Sequence, residues 1–180
     1  MREENTTTDQ SIYIRKASAE DIPSLCTMAG KAFQTAYTGK MPEEDLLAYV
    51  TKAFSQEQVL AEWQDAGNTF LLAFYGQELA GYAKINTNPR PERQETAQYI
   101  ELERLYLLTP FQGRQIGTVL MEHCVRRATG LGYAALWLNV WEQNTAAIKF
   151  YQRWHFELID WTIMMRGNDP QKGLWMRKWL

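Results

Sequence analysis

Residues 98–141 constrain this chain more than any other stretch. Residues 98–108 (QYIELERLYLL) form an apolar run of strand length, stopped by Pro110. From Gln112 onward the apolar positions Ile116, Val119, Leu120 and Cys124 recur at helical spacing as far as Gly130, and residues 133–141 make a second apolar run. Strand, helix and strand in that order form a right-handed crossover that lays the two strands parallel in one sheet. Ligands favour the end of the first strand of such a unit, where the helix opens. Here that junction reads Gly113-Arg114-Gln115-Ile116-Gly117. Two glycines let the backbone come close to a ligand. The first-turn N–H groups lack intrahelical partners and point, with the positive end of the helix dipole, toward an anion.

The rest of the chain supplies the remaining elements. Residues 12–16 alternate as a first strand, and Ser18 ahead of Ala19-Glu20-Asp21 has the form of a helix cap. Leu25, Met28, Ala29, Ala32, Phe33 and Ala36 then make an apolar stripe that ends near Thr38-Gly39. Amphipathic segments follow at 42–49 and 55–63. Residues 69–75 and 79–86 are strand-like runs split by Gly76-Gln77-Glu78, which predicts a hairpin, and 87–96 reads as a loop. A helix over 145–154 precedes a closing antiparallel pair, 156–166 with 174–180. The pattern predicts an α/β (α+β) fold, a mixed and mostly antiparallel sheet of about seven strands with helices on both faces. Residues 11–180 form one domain in this reading, after a flexible segment 1–10.

Composition removes several functions. Hydrophobic residues make up 46% of the 180, with seven Trp and nine Tyr, which excludes disorder. A net charge of −2 argues against a nucleic-acid surface, which needs a basic excess. The two cysteines, Cys26 and Cys124, lie outside any CxxC and read as buried thiols of a reducing compartment. No apolar stretch has the length of a signal core or a membrane span, so the expected location is the cytoplasm, with no membrane partner. With only His123 and His155, no HExxH and no cluster of ligating residues, no metal is expected, and the GxSxG nucleophile elbow is absent.

The glycine turn matches neither of two common phosphate loops. A Walker A loop needs four residues between its glycines and then Lys-Ser/Thr, and GxGxxG fails as well. The hexapeptide Gln112-Gly113-Arg114-Gln115-Ile116-Gly117 instead resembles the Q/R-x-x-G-x-G/A loop of the GNAT family of N-acetyltransferases. Residues 139–156, NVWEQNTAAIKFYQRWHF, are similar to that family's strand followed by N-x-x-A-x-x-F-Y-x-x-x-G-F, with Asn144, Ala147, Phe150, Tyr151 and Phe156 in the matching places. Asn144 and Tyr151, seven apart, share one helix face. The phrases EEDLLAYV, GYAKIN, ELERLYLL and GLWMRKWL extend the resemblance to the PaiA-like branch, bacterial spermidine/spermine N-acetyltransferases. Two residues depart from the pattern. Gln115 replaces the first loop glycine, which is harmless only if its φ is near helical values. His155 replaces the glycine of the last motif, at a cost in strain at a helix C-cap.

The resemblance implies acetyl-CoA as co-substrate and a small-molecule amine as acceptor. Only the neutral amine attacks a thioester, and an amine of pKa about 10 is protonated near neutral pH, so a base is useful. Glu101 is the first candidate, because its offset from Gln112 resembles that of the family's strand glutamate, and Glu103 is the second. A free backbone N–H among Leu105, Tyr106 and Leu107 would stabilise the oxyanion, while the same segment pairs with the pantetheine arm like an added strand. The pyrophosphate falls to Gln112, Gly113, Arg114, Gln115, Ile116, Gly117 and Thr118, with Asn144, Ala147 and Phe150 lining the cofactor. Tyr151 would protonate the departing thiolate. Phe33, Tyr37 and the cluster Glu43-Glu44-Asp45 suit a polyamine by cation–π contact and charge. Alternatives are a peptide or protein N-terminal acetyltransferase and a non-catalytic acyl-CoA sensor. The resemblance also implies a homodimer through the C-terminal strands.

Overall fold

The computed structural model describes residues 11–88, 98–166 and 169–180, so the expected flexible segment 1–10 and most of the 87–96 loop lie outside the described residues. In chain order the elements are β1 (Ile12–Lys16), α1 (Ile22–Tyr37), α2 (Glu43–Ala53), α3 (Gln56–Gln64), β2 (Asn68–Tyr75), β3 (Glu78–Asn86), β4 (Tyr99–Leu107), α4 (Ile116–Gly130), β5 (Ala135–Trp141), α5 (Thr145–Arg153), β6 (Glu157–Arg166) and β7 (Asp169–Trp179). The seven strands form one sheet in the order β1-β2-β3-β4-β5-β7-β6. Among the described residues only β4 and β5 are parallel, joined by the crossover through α4, and every other pairing is antiparallel.

Each face of the sheet carries its own core, as the alternation of the strands requires. Leu102, Ile100, Leu136 and Leu138 face Ile116, Leu120, Met121 and Cys124 of α4 and Tyr151 of α5. Leu72 and Tyr82 face Leu25, Ala29 and Phe33 of α1, with Leu46 and Val59 from α2 and α3 closing that side. Side chains buried this fully contribute about 1.5–3 kcal/mol each, and they fix both helical layers against β4 and β5.

Three boundaries differ from the sequence reading. Ser18 caps a short 3-10 turn, Ala19–Asp21, and not α1 itself. Its backbone N–H and Oγ both donate to Asp21 Oδ2, at 2.7 and 2.8 Å, while Arg15 grips the same carboxylate at 2.6 and 2.7 Å. The helix after the glycine turn begins at Ile116 and not at Gln112, since Thr109–Phe111 forms a separate 3-10 turn and Gln112 is extended. Strand β7 begins five residues earlier than its apolar run, because Asp169 to Lys172 pair with β6 through backbone groups that polar side chains conceal in the sequence.

Candidate active site

The parallel pair at the centre of the sheet is short. Tyr99 pairs with Ala135, Ile100 with Leu136 and Glu101 with Trp137, and there the pairing stops. Beyond it β4 stays with β3, from Arg104 opposite Lys84 to Leu107 opposite Gly81, while β5 stays with β7 as far as Trp141 opposite Gly173. The two strands diverge, and beyond Glu101 the edge of β4 turned away from β3 has no strand beside it among the described residues. One residue of β4 is extra in its ladder: the register shifts between Arg104 opposite Lys84 and Leu102 opposite Ile85. This bulge at Glu103 turns Glu103 and Arg104 to the same face and sharpens the divergence.

A cavity of about 780 Å³ fills the opening. Residues 101–107 of β4 form one wall, Asn139, Val140 and Trp141 of β5 the other, and Phe33, Tyr37, Tyr49 and Phe54 close the α1 side. Gln112, Gly113 and Gly117 line its other end with Asn144, Ala147, Phe150 and Tyr151.

Most of the residues singled out in the sequence therefore meet at one place. Glu101 sits at the vertex of the V, 2% exposed. Glu103, on the same face, lies in a charge quartet: Lys84 Nζ is 2.9 Å from both Glu62 and Glu103, and Arg104 bonds Glu62 through two N–H groups at 3.0 Å and approaches Glu103 at 3.5 Å. Burial alone would raise the Glu62 carboxyl, but Arg104, Gln58 and Lys84 together hold it below its ordinary value. Glu103 is thus committed to two cations. Tyr151 is 8% exposed, and burial, reinforced by nearby Cys124 and Tyr37, pushes its phenol well above the usual range, so it carries its proton at any working pH.

The glycine turn has the form of an anion nest. Gly113 has φ 76°, Gln115 has φ 63° and ψ 0°, and α4 starts immediately after. The first intrahelical bond runs from Val119 N to Gln115 O at 3.0 Å, leaving the N–H groups of Ile116, Gly117 and Thr118 without helical partners. Gln115 is left-handed, so the near-helical φ that would make a side chain harmless there is not met; the turn demands the glycine conformation and a side chain bears the strain. His155 behaves as expected: at φ 62° it ends α5, with His155 N bonded to Gln152 O and Phe156 N to Tyr151 O, at 2.9 and 3.0 Å.

Other singled-out side chains serve elsewhere. Ile116 is fully buried, and Arg114, Gln115, Ile116 and Thr118 are not among the cavity-lining residues, so their contribution to the turn is backbone. Asn144 caps α5, accepting from Ala147 N at 3.2 Å, and lines the cavity as well. Leu105 and Leu107 point to the α4 core and Tyr106 to the α1 core, and the side of this segment turned away from β3 borders the cavity. The acidic cluster is a correction: Glu43, Glu44 and Asp45 form the first turn of α2, complement its dipole, and do not line the cavity. Sequence reasoning missed Asn139, Arg153, Lys40 and Met164 as cavity residues. Asn139 alone left a signal, a polar residue inside the apolar run ALWLNVW.

Residues 32–156 match the family model described as the acetyltransferase (GNAT) family. The chain belongs to the GNAT acetyltransferases. It is similar to an uncharacterized N-acetyltransferase of Lactobacillus delbrueckii subsp. lactis, 25% identical and covering 93% of this chain and 96% of that protein. The spermidine N(1)-acetyltransferase of Thermoplasma acidophilum is 28% identical over 83% of this chain and 91% of its own length. The crystal structure of PaiA N-acetyltransferase from the same organism, in complex with coenzyme A, superposes with a TM-score of 0.78 at 26% identity, covering 94% and 99% of the two chains. The protein is an acetyl-CoA-dependent N-acetyltransferase. Its own geometry fits that co-substrate: a strand edge from which β5 parts beyond Glu101, suited to an extended arm, a nest of N–H groups for a pyrophosphate, and open space beside Gly113 where a Cβ would meet no atom within 4 Å.

Proposed function

We propose that this GNAT acetyltransferase transfers the acetyl group to a primary amine of a polyamine such as spermidine or spermine, by direct attack on the thioester. The observation that carries the reading is Glu101, a buried carboxylate at the vertex of the strand opening, facing a chamber walled by Phe33, Tyr37, Tyr49, Phe54, Tyr106 and Trp141. A carboxylate among aromatic faces attracts an alkylammonium and can then take its proton. The similarity to the Thermoplasma spermidine acetyltransferase supports the same acceptor.

Acetyl-CoA supplies the thioester. In this reading the β4 edge over Leu105, Tyr106 and Leu107 holds the pantetheine arm and aims an N–H at the acetyl oxygen, where negative charge develops. The glycine turn and the first turn of α4, together residues 113–118, receive the pyrophosphate. Glu101 accepts one proton of the ammonium, directly or through water, Tyr151 gives its proton to the sulfur as the C–S bond breaks, and the second proton the nitrogen sheds on becoming an amide restores the Tyr151 phenol. Glu103, held by Lys84 and Arg104, shapes the bulge and leaves the base role to Glu101.

Edge strand β6 exposes Trp161, Ile163 and Met165, which supports a homodimer formed by a second copy over that face. Two free buried thiols agree with a cytoplasmic location, and no helix among the described residues is long and apolar enough to cross a membrane. The acceptor is tested by following coenzyme A release with polyamines, amino-acid amides and aminoglycosides. Turnover of spermidine is expected, and no turnover with any polyamine refutes the acceptor assignment.

A further inference from the structure

Asn139 stands in the cavity wall with its side chain unpaired. Its neighbours Leu138 and Val140 face the α4 core, so Asn139 faces the opposite way, toward the side where Trp141 packs against α1. Neither Oδ1 nor Nδ2 has a hydrogen-bond partner among the described residues, and both atoms are buried. The amide lies over Gly173 of β7. A Cβ at Gly173 would collide with Asn139 Oδ1 and come within 2.9 Å of Nδ2 and 2.7 Å of Met164 Cε. Asparagine is disfavoured in strands, glycine weakens them, and a buried amide without partners costs stability. All three meet at the Asn139 amide, where Asn139 and Met164 line the cavity and Gly173 of β7 lies against the amide, and together they form a niche with one donor and one acceptor side by side.

We infer that Asn139 is a specificity residue that reads an amide on the acceptor, so that the enzyme also acetylates amines carrying a carboxamide or peptide group near the amine, a class distinct from polyamines. An amide is complementary to both atoms at once, C=O to Nδ2–H and N–H to Oδ1, as in the two-bond reading of adenine by asparagine. A polyamine ammonium offers donors only and leaves Nδ2 unpaired. Position fits as well. Asn139 is two residues beyond Trp137, the strand partner of Glu101, or about 6–7 Å along β5, so one small acceptor spans amine and amide sites. Met164 also lines the cavity beside this amide, and its unbranched thioether is adaptable enough to make room for an acceptor.

The inference rests on the acetyl-transfer reading above. The amine nitrogen bonds to the acetyl carbon, the C–S bond breaks, the ammonium passes one proton to Glu101, the sulfur takes one from Tyr151, and the nitrogen's second proton restores the Tyr151 phenol. The test compares kcat/KM for alaninamide and for spermidine, on the same preparation, in the wild type, Asn139→Asp and Gly173→Ala. Their ratio cancels any loss of folded protein. Wild type is expected to acetylate both. Asn139→Asp removes the donor and adds a charge that attracts ammonium, and Gly173→Ala displaces the amide; each shifts the ratio toward spermidine by about fivefold or more. A smaller shift in both variants, or no alaninamide turnover beside active spermidine turnover, overturns the inference. Turnover of alaninamide alone, lost in Asn139→Asp, upholds it while refuting the polyamine acceptor. Turnover of neither refutes it together with the proposed polyamine acceptor.

Discussion

Gln115 and His155 hold the same left-handed backbone, φ 63° and 62°, at opposite kinds of helix end, one opening α4 and the other closing α5. Replacing each by glycine should therefore stabilise the protein. A side chain in this conformation costs about 1–2 kcal/mol. Glycine returns about 0.5–1 kcal/mol of that through its greater freedom in the unfolded chain. The net gain is about 0.5–1 kcal/mol per site, slightly less at His155, since histidine tolerates positive φ better than most residues. A chain of this size has an unfolding entropy of about 0.4 kcal/mol/K, so each gain raises Tm by about 1–3 °C. The two sites lie on different elements and should add. Thermal unfolding followed by circular dichroism reads the effect, with Gln115→Ala and His155→Ala as controls that keep a Cβ and keep the strain. The reasoning is refuted if the alanine variants gain as much as the glycine variants, or if glycine lowers Tm at both sites.

Tyr151→Phe should lower kcat by about 10- to 100-fold with little change in acetyl-CoA binding, and, because burial raises the phenol, wild-type kcat should show no decline attributable to Tyr151 up to pH 9 in a pH–rate profile. Gly117→Ala should fold, because its Cβ would reach only ordinary contact with Leu107 at 3.4 Å and Phe150 at 3.8 Å, yet weaken coenzyme A binding in calorimetric titration by crowding the nest. The Glu62 carboxyl, held low when folded, binds its proton more readily in the unfolded chain, where its pKa is about 4.3. Its contribution is complete above that value and lost as pH falls through the lower folded value, so denaturant midpoints should fall on acidification below about pH 4.3, and less steeply in Glu62→Gln.

The crossover, the glycine turn and the helix bearing Asn144 and Tyr151 were legible in the sequence because each rests on local patterns: apolar period, a proline stop, glycine spacing and a cap. The parting of β4 from β5 was not, since it depends on a bulge at Glu103 and on which neighbour each strand keeps. For the same reason the acidic run of α2 resembled an acceptor site in sequence and proved to be a solvated helix start. Charge is visible in a sequence, but the direction a helix end faces is not. Asn139 was visible only as a polar residue in an apolar strand; its meaning came from Gly173, 34 positions away in the chain and beside it in the sheet.

Glu101→Gln tests the central claim most directly. The substitution keeps the size and hydrogen-bonding reach of the side chain at the vertex of the opening and removes its ability to take a proton. With saturating acetyl-CoA, coenzyme A release in the presence of spermidine should fall about 100-fold or more in kcat/KM, while the Kd for coenzyme A stays within about threefold of wild type. Retention of wild-type kcat/KM by Glu101→Gln would contradict the assignment of the base and with it the proposed mechanism.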